Sequence, residues 1–311
     1  MRRPHDVERQ QSDSTLFILC LYLTYNRHSW ESLCKHLEVP MKNQVVLPKW
    51  LDDYIFNTLS AKFCKQRKDL VVLNWDANDI LCYLGTYFPR SYAESYCIFS
   101  RYFKKNKNEL SDNNELSIFD FGCGTAGELI GLLIALNEQR SNIKQVHIQA
   151  LDGNHHALRN LEQILTEAQK HVHFQVGYQV IPFVIDDFYD LSLVERVCLK
   201  DAQYDIVISF KAICEFVTKQ QLEEKNPYEY LLQTFSSHIS TKGLICLADI
   251  TSYSDVAHDW LPRIIDQGIN ASLMTTKDKN ENYNEIYYIT HSHKHNDTSK
   301  IAWRILTPHV S

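Results

Sequence analysis

Along the chain the hydrophobic positions change period once, near residue 110. Before that point apolar residues recur at helical spacing; after it, short apolar runs alternate with amphipathic stretches. Leu16 to Leu37 carries the helical spacing, interrupted at Asn26 to Ser29 and closed by Pro40. Leu51, Tyr54, Ile55 and Leu59 mark one face of a helix starting near Pro48. Asp79 to Phe88 is a third helical segment, expected to end at Pro89. Ser91-Tyr92-Ala93-Glu94 has the form of a capping box, from which a new helix runs to about Lys105. The charged, asparagine-rich stretch Lys104 to Asn114 separates the two regimes and sets an N-terminal helical domain at 1–110 and a second domain at 111–311.

In the second domain the predicted strands are Leu116 to Phe121, Gln145 to Leu151, one ending at Ile185, Tyr204 to Ser209 and Gly243 to Asp249. His171 to Tyr178 reads either way. Helices are predicted from near Ala126, at His155 to Gln169, Leu191 to Lys200 and Pro227 to His238, and at Asp255 to Gln267, stopped by Gly268. Asn270 to Asn284 reads as a polar loop. Glu285 to Thr290 and Ile301 to Leu306 then form two strands joined by Ser292 to Ser299. Strands alternating with helices predict an α/β domain with a parallel sheet covered on both faces, closed here by an antiparallel hairpin.

Composition narrows the class. At 311 residues with 44% hydrophobic content the chain can bury a substantial core. Met1 to Ser14 is charged and polar, unlike a secretory leader, and Leu16 to Tyr25 is far short of the roughly 20 apolar residues of a membrane span. Nine cysteines stand singly with no C-x-x-C, which predicts small core thiols in a reducing, cytoplasmic setting, with neither a disulfide framework nor a zinc ribbon. Residues 1–110 carry 16 basic and 12 acidic side chains, residues 111–311 carry 16 and 26. An acidic second half with no basic, aromatic-interleaved stripe disfavours a nucleic-acid partner.

The densest chemistry lies at Ile118-Phe119-Asp120-Phe121-Gly122-Cys123-Gly124-Thr125-Ala126-Gly127-Glu128, a buried strand, a glycine turn and a helix start. Gly122 and Gly124 let the backbone turn tightly and approach a ligand, and the helix aims free N–H groups at the same point. Gly122, Gly124 and Gly127 satisfy the dinucleotide fingerprint G-x-G-x-x-G. Asp120, two residues before the first glycine, is poorly matched to a pyrophosphate and well matched to the ammonium and sulfonium of S-adenosylmethionine. On these residues the chain resembles the class I S-adenosylmethionine-dependent methyltransferases, whose first motif is an acidic residue followed by G-x-G. Ala126 stands where that motif often has a third glycine. The resemblance implies an α/β, Rossmann-like seven-stranded sheet with a C-terminal antiparallel hairpin, preceded here by the helical domain.

Further candidates follow from strand ends, where α/β ligands bind. Asp152 ends the second strand and could accept both ribose hydroxyls or merely cap the next helix. Asp186, Asp187 and Phe188 follow the third strand, where the family holds adenine; a plain turn is the competing reading. Ser209 ends the fourth strand, and Ser209-Phe210-Lys211 replaces the Asn/Asp-Pro-Pro-aromatic motif of base-amine methylation, which is thereby disfavoured. Tyr87 and Arg90 flank Pro89, where Arg90 could pair with a methionine carboxylate or lie on the surface. Glu215, Lys211 and Asp249 are candidate bases, and spacing singles out none. His291, His293 and His295 alternate as metal ligands could, but without a carboxylate or cysteine partner they read as a solvated turn, and no metal is expected.

The Tyr-Phe-Pro-Arg-Ser-Tyr run at 87–92 and Cys214-Glu215-Phe216 also resemble the mitochondrial ribosome-assembly methyltransferase-like family, without that family's cysteine cluster. The reading is a methyltransferase acting on a small molecule or peptide, with no membrane partner. A cofactor-binding assembly protein without turnover and a nicotinamide oxidoreductase are the alternatives.

Overall fold

In the computed structural model, the described residues are 43–64, 75–110, 112–254, 259–272, 274–280 and 285–309. The expected helical segment at 16–37 lies outside them. In chain order the strands are β1 (Gln44–Val46), β2 (Glu115–Phe121), β3 (Gln145–Asp152), β4 (Gln175–Pro182), β5 (Tyr204–Phe210), β6 (Ile239–Ile250), β7 (Tyr253–Ser254), β8 (Asp259–Trp260), β9 (Met274–Lys279), β10 (Ile286–His291) and β11 (Lys294–Pro308). The longer helices are α1 (Ala77–Lys105), α2 (Gly127–Gln139), α3 (His155–Ala168), α4 (Pro227–Ser236) and α5 (Leu261–Ala271).

The apolar run around Ile118 forms β2 at the centre, parallel to β3 on one side and β5 on the other. Outward from there the order is β4–β3–β2–β5–β6–β11–β10. Among these seven strands β11 alone runs against the rest, antiparallel to both β6 and β10. The order agrees with the Rossmann-like seven-stranded sheet with a C-terminal antiparallel hairpin that the sequence resemblance implies, with the single reversed strand near one edge. Two strands extend it: β1 pairs parallel with β10, and β9 pairs antiparallel with β11. The loop expected at 270–284 therefore contributes a strand. Met274 to Lys279 is mostly exposed, so no apolar pattern announces it.

Alternate residues of each strand face opposite layers. Ile118, Ile206 and Ile208 pack in one core with α1, α2 and α3. Phe119, Phe121 and Val207 pack in another with α4 and α5.

The break expected at Pro89 is absent: α1 runs through it without interruption, started by a capping box in which Asp76 accepts from Asn78 N and Asp79 N. The reason is packing. A Cβ on Gly127 would lie 2.3 Å from the Phe88 carbonyl oxygen, and one on Gly131 would lie 2.5 Å from that of Tyr92. The two glycines, one turn apart on α2, let the backbones meet on either side of Pro89. Ser95 locks the contact by donating to the Glu128 carbonyl at 2.6 Å. Glu94, expected in a cap, lies inside the helix.

Other boundaries also move. Gly268 lies within α5 instead of stopping it, because its bare Cα lets α5 approach α4; a Cβ there would lie 2.5 Å from Asn226 Oδ1. The segment 191–200 is broken into a short α turn and a π turn. Cys64 and Cys82 are joined by a disulfide, with Cα atoms 5.5 Å apart, so the expectation that all cysteines are thiols is overturned for these two. The hydrogen bond from Lys62 N to Leu81 O at 3.0 Å brings their segments together. Among the described residues no helix is long and apolar enough to cross a membrane.

Candidate cofactor and acceptor site

The turn after β2 is held from β3. Gly122 N and Cys123 N both donate to the Leu151 carbonyl, at 2.9 and 3.0 Å, and Gly124 N donates to Asp152 Oδ2 at 2.8 Å. Gly122 and Gly124 take φ of 74° and 50°, in the left-handed region that favours glycine. Ala126 shares that region at φ 56°, at a cost of about 1 kcal/mol, which is why the family motif often has glycine there. The floor is also crowded: a Cβ on Gly122 would lie 2.5 Å from Ala212 Cβ and 2.8 Å from the Phe216 ring.

Under this turn lies Asp120. Both carboxylate oxygens are buried, and neither takes a hydrogen bond from any described residue. Burial, then the charges of Glu128 and Asp152, hold its carboxyl well above the usual carboxylate range. Glu128, in the first turn of α2, is pushed up to about 8, chiefly by burial. Asp152 is also raised by burial, an effect opposed by the N–H groups of Asn154 and Gly124. Its Oδ1 accepts from Asn154 N at 2.8 Å, while Asn154 itself caps α3. The capping role that competed for Asp152 thus belongs to Asn154, and each Asp152 oxygen keeps a second acceptor direction.

The segment after β5 forms the next wall. Ser209 Oγ is buried without a partner among the described residues. Lys211, at φ 58°, turns the chain and places its Nζ 2.9 Å from Oε2 and 3.2 Å from Oε1 of the fully buried Glu94, which also accepts from Ser299. Lys211 is thereby engaged as an ion pair. Asp249, at the end of β6, is consumed structurally: it accepts from Cys214 N, Tyr228 Oη and Ile250 N at 3.1, 2.8 and 2.7 Å. Glu215 takes no comparable side-chain bond from any described residue. Glu215 is exposed, yet desolvation by the protein around it, then Asp249 and Asp152, push its carboxyl up to about 8 against the opposing charge of Lys211.

From α1, Tyr83 and Tyr87 stand one turn apart with ring centroids 4.9 Å apart, and Trp75 meets Tyr83 edge-on at 5.6 Å. Tyr83 Oη would lie 3.4 Å from a Cβ on Gly124, so this helix closes over the turn. Burial of Tyr83, then Glu215, Glu128 and Asp152, push its phenol well above the ordinary value. Tyr87 Oη is buried without a partner among the described residues. Arg90 is engaged by protein: its Nε and Nη2 bind Asp297 Oδ2 and Oδ1 at 2.7 and 3.0 Å.

Beyond β4 the picture is plainer. Asp186 and Asp187 are exposed, and Asp187 Oδ1 accepts from Tyr189 N and Gln221 Nε2 at 2.9 and 2.8 Å, a turn-fixing arrangement. Phe188 is buried and packs edge-on against Tyr189 and Tyr230. His291 is a buried β10 residue stacked on Phe56, which also stacks on His293. No cluster of three or more His, Cys, Asp or Glu among the described residues could hold a metal.

The structure therefore brings Asp120, Gly122, Gly124, Asp152, Ser209 and Tyr87 towards one edge of the sheet and ties Arg90 and Phe188 into protein contacts. Glu94 and the Tyr83 position were missed. The spacing of Tyr83 and Tyr87 at i and i+4 was the available signal for the latter; Glu94 had none, because its partner Lys211 lies 117 residues away.

No family model matches the sequence, and no curated relative is found. The fold is similar to solved structures: a candidate O-methyltransferase from Klebsiella pneumoniae (10% identity, TM-score 0.43, covering 90% of this chain and 96% of that one), a candidate RNA methyltransferase from Pyrococcus horikoshii (12%, 0.41, 70% and 86%), and an S-adenosylmethionine-dependent methyltransferase from Clostridium acetobutylicum (10%, 0.38, 68% and 92%). Such low identities and scores transfer no activity, acceptor or residue role.

Proposed function

We propose that this chain binds S-adenosylmethionine at the turn after β2 and transfers its methyl group to an acceptor held between that turn, α1 and the segment after β5. The observation that carries the proposal is Asp120, a buried carboxylate with no described partner beneath two left-handed glycines. A buried anion without a counter-charge is costly, and a cationic ligand offsets that cost where a pyrophosphate would add to it. Asp120 and Glu128 supply the negative field for the cofactor's ammonium and sulfonium. Asp152, already oriented by Gly124 and Asn154, offers its remaining acceptor directions to ribose hydroxyls.

S-adenosylmethionine supplies an activated methyl carbon when bound, so the protein's work is alignment and exclusion of water. Tyr83 and Tyr87 close the turn on one side, and Phe216 closes it on the other. Asp186 and Asp187, exposed after β4, are the carboxylates proposed to accept from an adenine amine. The acceptor is a small molecule or an exposed peptide side chain.

Ultraviolet crosslinking of methyl-labelled S-adenosylmethionine tests this reading. Label is expected in the peptides carrying Phe121 to Glu128 or Asp152, displaced by S-adenosylhomocysteine and not by NAD. Absence of crosslinking, or displacement by NAD alone, would contradict it.

A further inference from the structure

We infer that Glu94 is a positioning residue for the cofactor site: through Lys211 it holds the segment after β5 against the glycine turn and so sets cofactor affinity. The inference rests on the methyltransferase reading and deepens it. Its starting point is a lysine in a costly conformation. Lys211 takes φ 58°, where glycine is the unstrained choice and any longer side chain adds strain. The side chain is therefore what the position needs. Its Nζ crosses to α1 and meets both oxygens of Glu94, at 2.9 and 3.2 Å.

What Lys211 carries is the floor of the turn. Its backbone N–H donates to the Ala248 carbonyl of β6 at 2.7 Å, so the chain leaves β5 at a fixed point. The next residues close one helical turn, with Phe216 N donating to the Ala212 carbonyl at 2.9 Å. Ala212 and Phe216, four residues apart, thereby share a side. They are the two residues that meet Gly122, with the Ala212 Cβ 2.5 Å and the Phe216 ring 2.8 Å from its Cβ position. Any swing of the chain at Lys211 moves that floor.

The far end of the turn hangs from the same helix. At Gly127, where α2 begins, a Cβ would lie 2.3 Å from the Phe88 carbonyl oxygen, and Ser95, the neighbour of Glu94, donates to the Glu128 carbonyl at 2.6 Å. α1 thus grips the turn's exit through its backbone and the turn's floor through Glu94. The spacing between the two is set by one helix. Stability alone does not call for an ion pair here, because Glu94 is fully buried and apolar side chains in place of a buried pair usually do as well or better. The contribution of the pair is geometric: a carboxylate that also accepts from Ser299 leaves the lysine one place to sit.

The test is a calorimetric titration of S-adenosylhomocysteine into wild type, Glu94→Gln and Arg90→Ala, with thermal midpoints measured alongside. Arg90 is the control. It lies one turn before Glu94 on α1 and also ties the helix to β11, but its ion pair is with Asp297 and not with the segment after β5. In Glu94→Gln no charge is stranded, since Lys211 keeps 16% of its side chain exposed and its freed ammonium reaches water. Affinity is expected to fall about tenfold in Glu94→Gln and by less than about twofold in Arg90→Ala, whatever the two do to the midpoint. Should Glu94→Gln lose its fold, Glu94→Gln combined with Lys211→Gly, which suits φ 58° and buries no charge, carries the same expectation. Equal losses in Glu94→Gln and Arg90→Ala would mean that loosening α1 is the whole effect, and unchanged affinity in Glu94→Gln would mean that the floor stands without the pair. Either result overturns the positioning role and leaves the methyltransferase reading standing. Failure of S-adenosylhomocysteine to bind the wild type overturns both.

Discussion

Gly124 donates its backbone N–H to Asp152 at 2.8 Å, so the turn after β2 and the acidic end of β3 are one hydrogen-bonded unit. The contact links two motifs that lie 28 residues apart. It fixes the Asp152 carboxylate before any ligand arrives, and such preorganisation spares binding the cost of ordering it.

The α1–α2 contact should be intolerant of a methyl group. Gly131→Ala places Cβ 2.5 Å from the Tyr92 carbonyl oxygen, an atom fixed by its own helix. The helices must separate, at a cost of about 1–3 kcal/mol. Urea unfolding should show a lower midpoint at unchanged slope; an unaltered midpoint would mean that the backbones are not held this close.

Arg90→Ala should separate stability from binding. It strips Asp297, only 6% exposed at its side chain, of a bidentate partner, and a loss of about 2 kcal/mol in stability is expected. Affinity for S-adenosylmethionine should change by less than about twofold. A drop beyond about tenfold would restore Arg90 as the methionine-carboxylate partner that its sequence position suggested.

Stability without ligand should fall as pH rises. Glu128 moves from an ordinary 4.5 to about 8, chiefly through burial, and Asp120 is raised in the same direction. The folded state therefore holds more protons than the unfolded one across that window. The associated stability is full below the ordinary carboxylate value and lost as pH climbs through about 8. The thermal midpoint should decline from pH 5 to pH 8, with a shallower slope in Glu128→Gln. S-adenosylmethionine, which favours the ionised carboxyls, should stabilise more at pH 8 than at pH 5. A wild-type midpoint that rises over this range would refute the assignment.

The Cys64–Cys82 bridge spans 18 residues, and a crosslink of that reach is worth about 3 kcal/mol. Cys64→Ser and dithiothreitol-treated wild type should unfold at the same, lower urea concentration. Identical midpoints for treated and untreated wild type would show that the crosslink contributes nothing.

What the sequence made legible was set by local forces. β2 and β5 are buried over most of their length and read as apolar runs, β3 alternates apolar with polar positions as a strand does, and the turn at Gly122 and Gly124 needs the conformations that only glycine adopts cheaply. What it concealed was set by distant partners. Pro89 reads as a helix end because the glycines that hold α1 across it come 38 and 42 residues later. β9 is polar and is ordered by pairing with β11. Phe188 carries the same letter whether it stacks on adenine or fills a core. Arg90 could not announce Asp297 across 207 residues.

The most direct test of the central claim is isothermal titration of wild type and Asp152→Ala with S-adenosylhomocysteine and with NAD. S-adenosylhomocysteine should bind wild type and weaken roughly tenfold or more in Asp152→Ala, through loss of the ribose contact and of the turn's own hydrogen bond, with no heat from NAD. Binding of NAD with none of S-adenosylhomocysteine would contradict the account at its root.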